Sequence, residues 1–126
     1  MLTGGEPLAQ PVASLIKELA GCFRRVQVET SGTEPFPNAP AWFTLAPKFG
    51  MRRPVVVTTG MDEIKVMVGK SADIDAARPM IAANPGTPVF LHPISGSAKA
   101  TAVCVREAMA NNWRVSVQLH EVLGLR

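Results

Sequence analysis

A double-glycine turn near the start of the sequence has the residue types of a ligand site. Gly4 and Gly5 follow a short apolar stretch and precede a helical pattern, so a ligand can approach the backbone closely there. The N–H groups exposed in such a turn favour an anion, and the carboxylate of Glu6 could hold an ammonium group. A plain strand-to-helix turn explains these residues equally well.

Lys48 and two histidines are the other residues with chemistry of their own. Lys48 follows a proline at a predicted strand end and could bind a carboxylate or a phosphate, although a solvated lysine is the commoner case. His92 and His120 lie at strand ends without a second ligand at short spacing, so no metal site is expected. The G-x-S-x-G and Walker patterns are absent, and we assign no catalytic residue.

Alternating strands and helices must position these residues. Apolar spacing predicts a helix at about 8–20, a second that starts at Asp73 and ends before Asn84, and a third that is capped by Ser97 and runs to about Asn111. Residues 55–59 read as a strand or as a helix opened by Pro54. The remaining strands are predicted at 26–30, 42–45, 64–68, 89–91 and 113–120.

This alternation predicts an α/β fold with a mainly parallel sheet. The unusual residues all follow strand carboxyl ends, where ligands bind in parallel α/β folds. They lie at 3–6, 29–33, 46–48, 92–95 and 118–120. The residues alone therefore predict a small-ligand site at that edge and leave the ligand unnamed.

Composition bounds the class of protein. The 126 residues are expected to form one domain over 1–126, and 47% apolar against 18% charged residues excludes a disordered chain. The net charge of +3 is weak support for nucleic acid, and no nucleic-acid partner is expected. A solvated surface is the plain interpretation of Arg24-Arg25 and Arg52-Arg53, and a small anionic ligand is the functional alternative.

The apolar runs and cysteines bear on the compartment. The uninterrupted apolar runs are too short for a membrane helix, so no membrane partner is expected. Cys22 and Cys104 lie far apart, and we expect both as buried thiols in a reduced, cytoplasmic protein.

Six motifs in order resemble those of the 7-carboxy-7-deazaguanine synthases, a branch of the radical S-adenosylmethionine enzymes. One such motif is weak, but six in order with sensible spacing are specific, and they run from Thr3 to the C-terminus. They are the T-G-G-E-P turn at 3–7, E-T-[SN]-G-T at 29–33, W-x-x-x-S-P-K at 42–48, E-[IL]-K at 63–65, Q-P-I-S at 92–95 and N-W-R-[LV]-S-x-Q-x-H at 112–120.

The resemblance implies a fold, a reaction and cofactors. The fold is a partial (β/α) barrel of the radical S-adenosylmethionine type, with the later strands and helices only. The family converts 6-carboxy-5,6,7,8-tetrahydropterin to 7-carboxy-7-deazaguanine by a radical ring contraction in queuosine biosynthesis, as a carbon–nitrogen lyase. It uses S-adenosylmethionine, a 4Fe-4S cluster and Mg²⁺.

The resemblance also implies binding roles, carried over by motif. Thr3 would contact the pterin substrate, and Gly5 would meet S-adenosylmethionine through its backbone. The residues implied to bind S-adenosylmethionine are Gly4, Gly5, Glu6, Ala46, Pro47, Lys48, His92, Pro93, Ile94 and Ser95.

Three residues depart from the family pattern. Ala46 stands where Ser is usual, His92 where Gln is usual, and Glu121 where Lys is usual. The loss of a hydroxyl at Ala46 leaves backbone contacts intact, and His92 still hydrogen-bonds. Glu121 reverses a charge, which puts the corresponding contact in doubt.

The cluster ligands are the largest departure. The family's C-x-x-x-C-x-x-C-type loop and its Mg²⁺ contact lie upstream of T-G-G-E-P, and two isolated thiols cannot replace three cluster ligands. We therefore expect this chain alone to be inactive, with a homodimer or a complementing N-terminal fragment as its partner. The alternatives are a non-catalytic module that binds S-adenosylmethionine or a nucleotide, and a remnant without function.

Overall fold

A parallel sheet organises the part of the chain that a computed structural model describes, which is residues 1–50, 54–94, 96–119 and 124. Five strands lie in the order β1-β2-β3-β4-β5, and every neighbouring pair is parallel. The strands are β1 (Gln27–Thr30), β2 (Trp42–Leu45), β3 (Glu63–Val68), β4 (Val89–Pro93) and β5 (Arg114–Val115). The predicted α/β class is therefore confirmed, and strand order that follows chain order is that of a section of a (β/α) barrel.

Three described α-helices lie against one face of this sheet. They are α1 (Ala13–Cys22), α2 (Ser71–Ala82) and α3 (Ala98–Asn111). Side chains alternate between the faces of a strand, so every second residue of β3 and β4 packs under α2 and α3. Ile16 of α1 makes a second cluster with Val28 and Phe43.

The start of α1 differs from the sequence prediction. The helix predicted at about 8–20 is wrong in its first turn, because a 3₁₀ turn spans Pro7–Ala9 and the α-helix begins only at Ala13. Gln10 is extended, with φ −118° and ψ 155°. It precedes Pro11, whose ring disfavours a helical conformation in the residue before it. At its other end the helix continues to Cys22, slightly beyond the predicted end near residue 20.

The last predicted strand is much shorter than the sequence pattern indicated. Only Arg114–Val115 is a strand, paired with Phe90 and Leu91 of β4. Two residues further along β4 lies Pro93, which ends that strand and has no N–H with which to continue the ladder. Residues 120–123 lie outside the described part. Residues 55–59, left open above, form neither strand nor helix.

Other local predictions have mixed outcomes. Ser97 caps α3 as predicted, since its Oγ accepts a hydrogen bond from the N–H of Ala100 at 3.1 Å. Cys104 is a buried free thiol, as expected, and burial raises its pKa. The expectation that Cys22 is buried is wrong, because it lies exposed in the last turn of α1. None of the described helices is long and apolar enough to cross a membrane.

Candidate functional site

A small cavity lies at the carboxyl edge of β1 and β2. Its volume is about 150 Å³. Five of the predicted site residues come together around it, and residues 29–31 of the β1 end complete the wall. The five are Thr3, Gly4, Gly5, Ala46 and Lys48.

The glycine turn lines one side of this cavity, and its backbone conformation accounts for the two glycines. Gly4 has φ +94° and Gly5 has φ +61°, conformations that residues with a side chain rarely adopt. A Cβ atom built on either residue would meet nothing within 4 Å. The turn is therefore open to a ligand on its cavity side.

The carboxylate of Glu6 is engaged within the protein. Its Oε1 accepts hydrogen bonds from the Thr30 hydroxyl at 2.6 Å and the Leu8 N–H at 3.1 Å. Its Oε2 accepts from the Ser31 N–H at 2.8 Å and from the Ser31 hydroxyl. We call this arrangement the Glu6 clasp. It ties the glycine turn to the end of β1, and a contact between Glu6 and a ligand ammonium stays a prediction.

Charge on Glu6 is favoured by the clasp. Partial burial raises the pKa of this carboxyl, but the hydrogen bonds from Ser31, Thr30 and the Leu8 N–H outweigh it. The net result is a pKa below the ordinary value of 4.5. Glu6 is consequently an anion at neutral pH, with both oxygens already occupied by donors.

The segment after β2 contributes one charge to the cavity. Ala46 and Pro47 are buried, and the Ala46 N–H donates to the Thr30 carbonyl at 2.8 Å. Lys48 is exposed and lines the cavity, so it adds a positive charge there. Ala46 and Lys48 thus give the cavity a small apolar surface and a cation.

The residues predicted at 92–95 do not line this cavity. His92, only 3% exposed, lies on β4, two strands away from β2. Its Nδ1 lies 3.4 Å from the Ser116 hydroxyl. Pro93 is buried and Ile94 is 46% exposed. The predictions for Ser95, His120 and Glu121, and for Arg52-Arg53, fall outside the described residues.

A polar face of the sheet escaped the sequence analysis. On the face opposite the helices, Lys65 Nζ lies 3.0 Å from Glu29 Oε2, with both side chains mostly buried. Nearby, the Gln27 amide and the Glu63 carboxylate both bind the Thr44 hydroxyl, each at 2.8 Å. The available signal was the alternation at 27, 29, 63 and 65, because parallel strands usually carry apolar residues on both faces.

The residues present suit S-adenosylmethionine in part and do not suit a 4Fe-4S cluster. A 150 Å³ cavity is below the roughly 300–1,000 Å³ of sites that enclose a drug-sized ligand, so it suits only one end of S-adenosylmethionine. The N–H groups and Lys48 suit a carboxylate there. A 4Fe-4S cluster does not fit, since the described residues include no group of three metal-binding side chains and the sequence has two cysteines.

Comparison with known proteins identifies similar chains. No family model matches. The chain is 33% identical to the 7-carboxy-7-deazaguanine synthase of Buchnera aphidicola over 130 residues, covering 100% of this chain and 59% of that protein. It is 34% identical to the Escherichia coli K12 protein of the same name, covering 99% of this chain and 60% of that protein.

A solved structure is also similar. The crystal structure of QueE from Escherichia coli superposes with a TM-score of 0.83 at 35% identity, over 92% of this chain and 54% of that one. The chain thus spans about 60% of the length of the curated relatives it matches.

Proposed function

We propose that this chain, whose predicted resemblance to the 7-carboxy-7-deazaguanine synthases is confirmed over its whole length, provides the S-adenosylmethionine-binding wall of such an enzyme. The observation that carries the proposal is the cavity that gathers Thr3, the glycine turn, Ala46 and Lys48. The reaction it serves is the radical ring contraction of 6-carboxytetrahydropterin, which leads to queuosine.

In this proposal, different residues bind different parts of S-adenosylmethionine. The N–H groups of the glycine turn and the Lys48 ammonium hold the carboxylate of the methionine end. The remainder of the cofactor extends along the carboxyl edge towards 92–95, where His92 replaces the family's glutamine. Bound S-adenosylmethionine would supply the radical chemistry of the reaction, and the glycine turn and Lys48 would hold and orient it.

Thr3 and the polar face suit the pterin substrate. Thr3 lies on the rim of the cavity, and Glu29 is shared between the cavity wall and the polar face. A pterin ring presents several hydrogen-bond donors, and Glu29, which accepts from Lys65 through Oε2, is the carboxylate of the polar face that also borders the cavity. We therefore expect the pterin on the side of the sheet away from the helices.

The cluster and Mg²⁺ need ligands from another part of the assembly in this proposal. A second polypeptide or a longer form of the chain would provide the cysteines, and a homodimer is the expected assembly. Cys22 and Cys104 are both free, which agrees with a reducing, cytoplasmic location.

Calorimetric titration with S-adenosylmethionine tests the wall directly. We expect saturable binding by the purified chain, and about tenfold weaker binding after Lys48→Ala, because one charge-assisted contact to a carboxylate is lost. Lys17→Ala, which removes an exposed lysine from α1, is the matched control and should leave binding unchanged. Equal affinities of the Lys48→Ala and Lys17→Ala variants contradict the proposed site, and no binding at all favours the remnant.

Reconstitution of the iron–sulfur cluster distinguishes part of an enzyme from a module that only binds S-adenosylmethionine. After iron and sulfide treatment, we expect no 5′-deoxyadenosine from this chain, because two cysteines cannot hold the cluster. The Escherichia coli relative, treated identically, is the positive control. If the chain forms part of an enzyme, addition of that relative's cluster-bearing segment should restore cleavage of S-adenosylmethionine. If the chain is only a binding module, cleavage should stay at background. Cleavage of S-adenosylmethionine by the chain alone would contradict this expectation.

A further inference from the structure

A second cavity opens at the opposite, amino-terminal edge of β1 and β2. Its volume is about 380 Å³, within the roughly 300–1,000 Å³ range of small-molecule sites. Two arginines and two aromatic residues surround an apolar floor that includes Val26 and Ala41. The four are Phe23, Arg24, Arg25 and Trp42, and we call this space the arginine cavity.

The two guanidinium groups of the arginine cavity are not neutralised within the described part of the chain. Neither Arg24 nor Arg25 takes part in an ion pair there, and the residues that line the cavity include no carboxylate. Arg78 and Lys65, by contrast, are paired with acidic side chains. The cavity therefore has uncompensated positive charge, which favours an anion.

Arg25 makes a cation–π contact with Trp42. Its guanidinium carbon lies 4.7 Å from the centre of the Trp42 ring. Stacking on an aromatic ring leaves the N–H donors in the guanidinium plane free, in the fork geometry that suits two oxygens of a phosphate. The contact with Trp42 restricts the Arg25 side chain before a ligand binds.

Phe23 gives the cavity an apolar surface beside its charges. Its side chain is 62% exposed at the end of α1, although it lines the cavity. A large aromatic exposed next to cations is typical of a binding surface for a ligand with a flat apolar body. Such a body would cover Phe23 and the floor while an attached anion meets the arginines.

We propose that the arginine cavity binds a nucleotide, with its phosphate between Arg24 and Arg25 and its base against Phe23 and the apolar floor. The site is separate from the S-adenosylmethionine wall, which lies at the other end of the same strands. S-adenosylmethionine has no phosphate and carries a sulfonium charge in addition to its carboxylate, so we expect it to bind the arginine cavity more weakly than a nucleotide does. The proposal does not depend on the function proposed above.

The tryptophans allow a local readout. The sequence has two, and Trp42 lines the arginine cavity while Trp113 lines a different one. In a Trp113→Phe variant, titration with AMP or GMP should quench Trp42 fluorescence to saturation. In a Trp42→Phe variant, the fluorescence of Trp113 should not respond. Adenosine and inorganic phosphate should each bind at least about tenfold more weakly than AMP, because each lacks one half of the ligand.

Charge-removing variants complete the test. In the Trp113→Phe background, Arg24→Ala and Arg25→Ala should each weaken AMP binding by about tenfold or more, while Lys17→Ala leaves it unchanged. Both arginines are exposed, so circular dichroism should show folded variants. Absence of saturable quenching, equal binding of adenosine, or unchanged affinity in both arginine variants would overturn the proposal. Sedimentation gives a further test. If the chain is a dimer that the arginine substitutions dissociate, and AMP has no effect on it, then a second copy of the chain occupies the cavity and the proposal is overturned.

Discussion

Gly32→Ala is expected to cost the protein about 2–4 kcal/mol of unfolding free energy. Gly32 has φ +77°, a left-handed conformation that a side chain makes unfavourable. A Cβ atom there would overlap Leu45 Cδ1 and would lie 3.1 Å from Val55 Cγ1. Leu45 is fully buried in the main core, so it cannot move aside without disturbing its neighbours.

The loop that Gly32 anchors should loosen in the same variant. The Gly32 carbonyl accepts hydrogen bonds from the N–H groups of Val56 and Val57, at 2.8 and 3.0 Å. The Gly32 N–H itself donates to the Thr30 hydroxyl at 3.1 Å. A shift of Gly32 therefore reaches the Glu6 clasp through Thr30, and S-adenosylmethionine binding should fall with stability.

Gly86→Ala is the matched control for this substitution. Gly86 has φ +83°, close to that of Gly32, but a Cβ atom there meets nothing within 4 Å. Only the backbone strain remains, and we expect a loss of about 1–2 kcal/mol. Urea unfolding followed by circular dichroism measures both losses. Equal losses for the two variants would show that the overlap with Leu45 is relieved without cost.

Local patterns explain which elements were predictable. Strand 42–45 and the helix capped by Ser97 are confirmed because their apolar residues and boundary residues lie next to each other in sequence. The helix at 8–20 failed in its first turn, where Gln10 before Pro11 stays extended despite the apolar spacing. The strand at 113–120 failed because pairing depends on a neighbour that ends at Pro93.

Long-range pairing explains what the sequence analysis missed at the site. Parallel strands end at one edge, so the gathering of Thr3, Gly5 and Lys48 around a cavity followed from their places at strand ends. The ion pair of Glu29 with Lys65 joins residues 36 positions apart, which no local pattern reveals. The same holds for the Glu6 clasp, whose partners Thr30 and Ser31 lie 24 and 25 residues away.

Glu6→Gln is the second substitution with a large expected effect. The amide keeps one acceptor but turns an NH₂ group towards donors of Leu8 or Ser31, so at least one hydrogen bond of the clasp is lost. Glu6 is partly exposed, and solvent screens some of the loss. We expect the unfolding free energy to fall by about 1–2 kcal/mol at pH 7. Glu18→Gln, on the exposed side of α1, is the control and should have little effect.

The pH dependence identifies the charge of Glu6 as the stabilising feature. Its pKa in the folded protein is below the ordinary value of 4.5, so the folded state favours the ionised form. The stability it confers is fully present above pH 4.5 and is lost as the pH falls through the lowered folded pKa. The difference between wild type and Glu6→Gln should therefore shrink below pH 4.5. A difference that stays constant with pH would exclude the charge as its cause.

The same variant separates a positioning role from direct contact with a ligand. If Glu6 only holds the glycine turn against β1, Glu6→Gln lowers stability and S-adenosylmethionine affinity together, and Ser31→Ala, which removes a donor of the clasp, lowers both in the same sense. If Glu6 instead binds the ammonium group of the ligand, Ser31→Ala removes one of the two donors to Oε2, leaves the N–H of residue 31 in place, and does not weaken binding. Thr30 and Ser31 both line the cavity, and Thr30→Val adds a second test because it removes the donor to the other oxygen of Glu6. Joint loss in all three variants is the result we expect, since both oxygens of Glu6 already have donors within the protein.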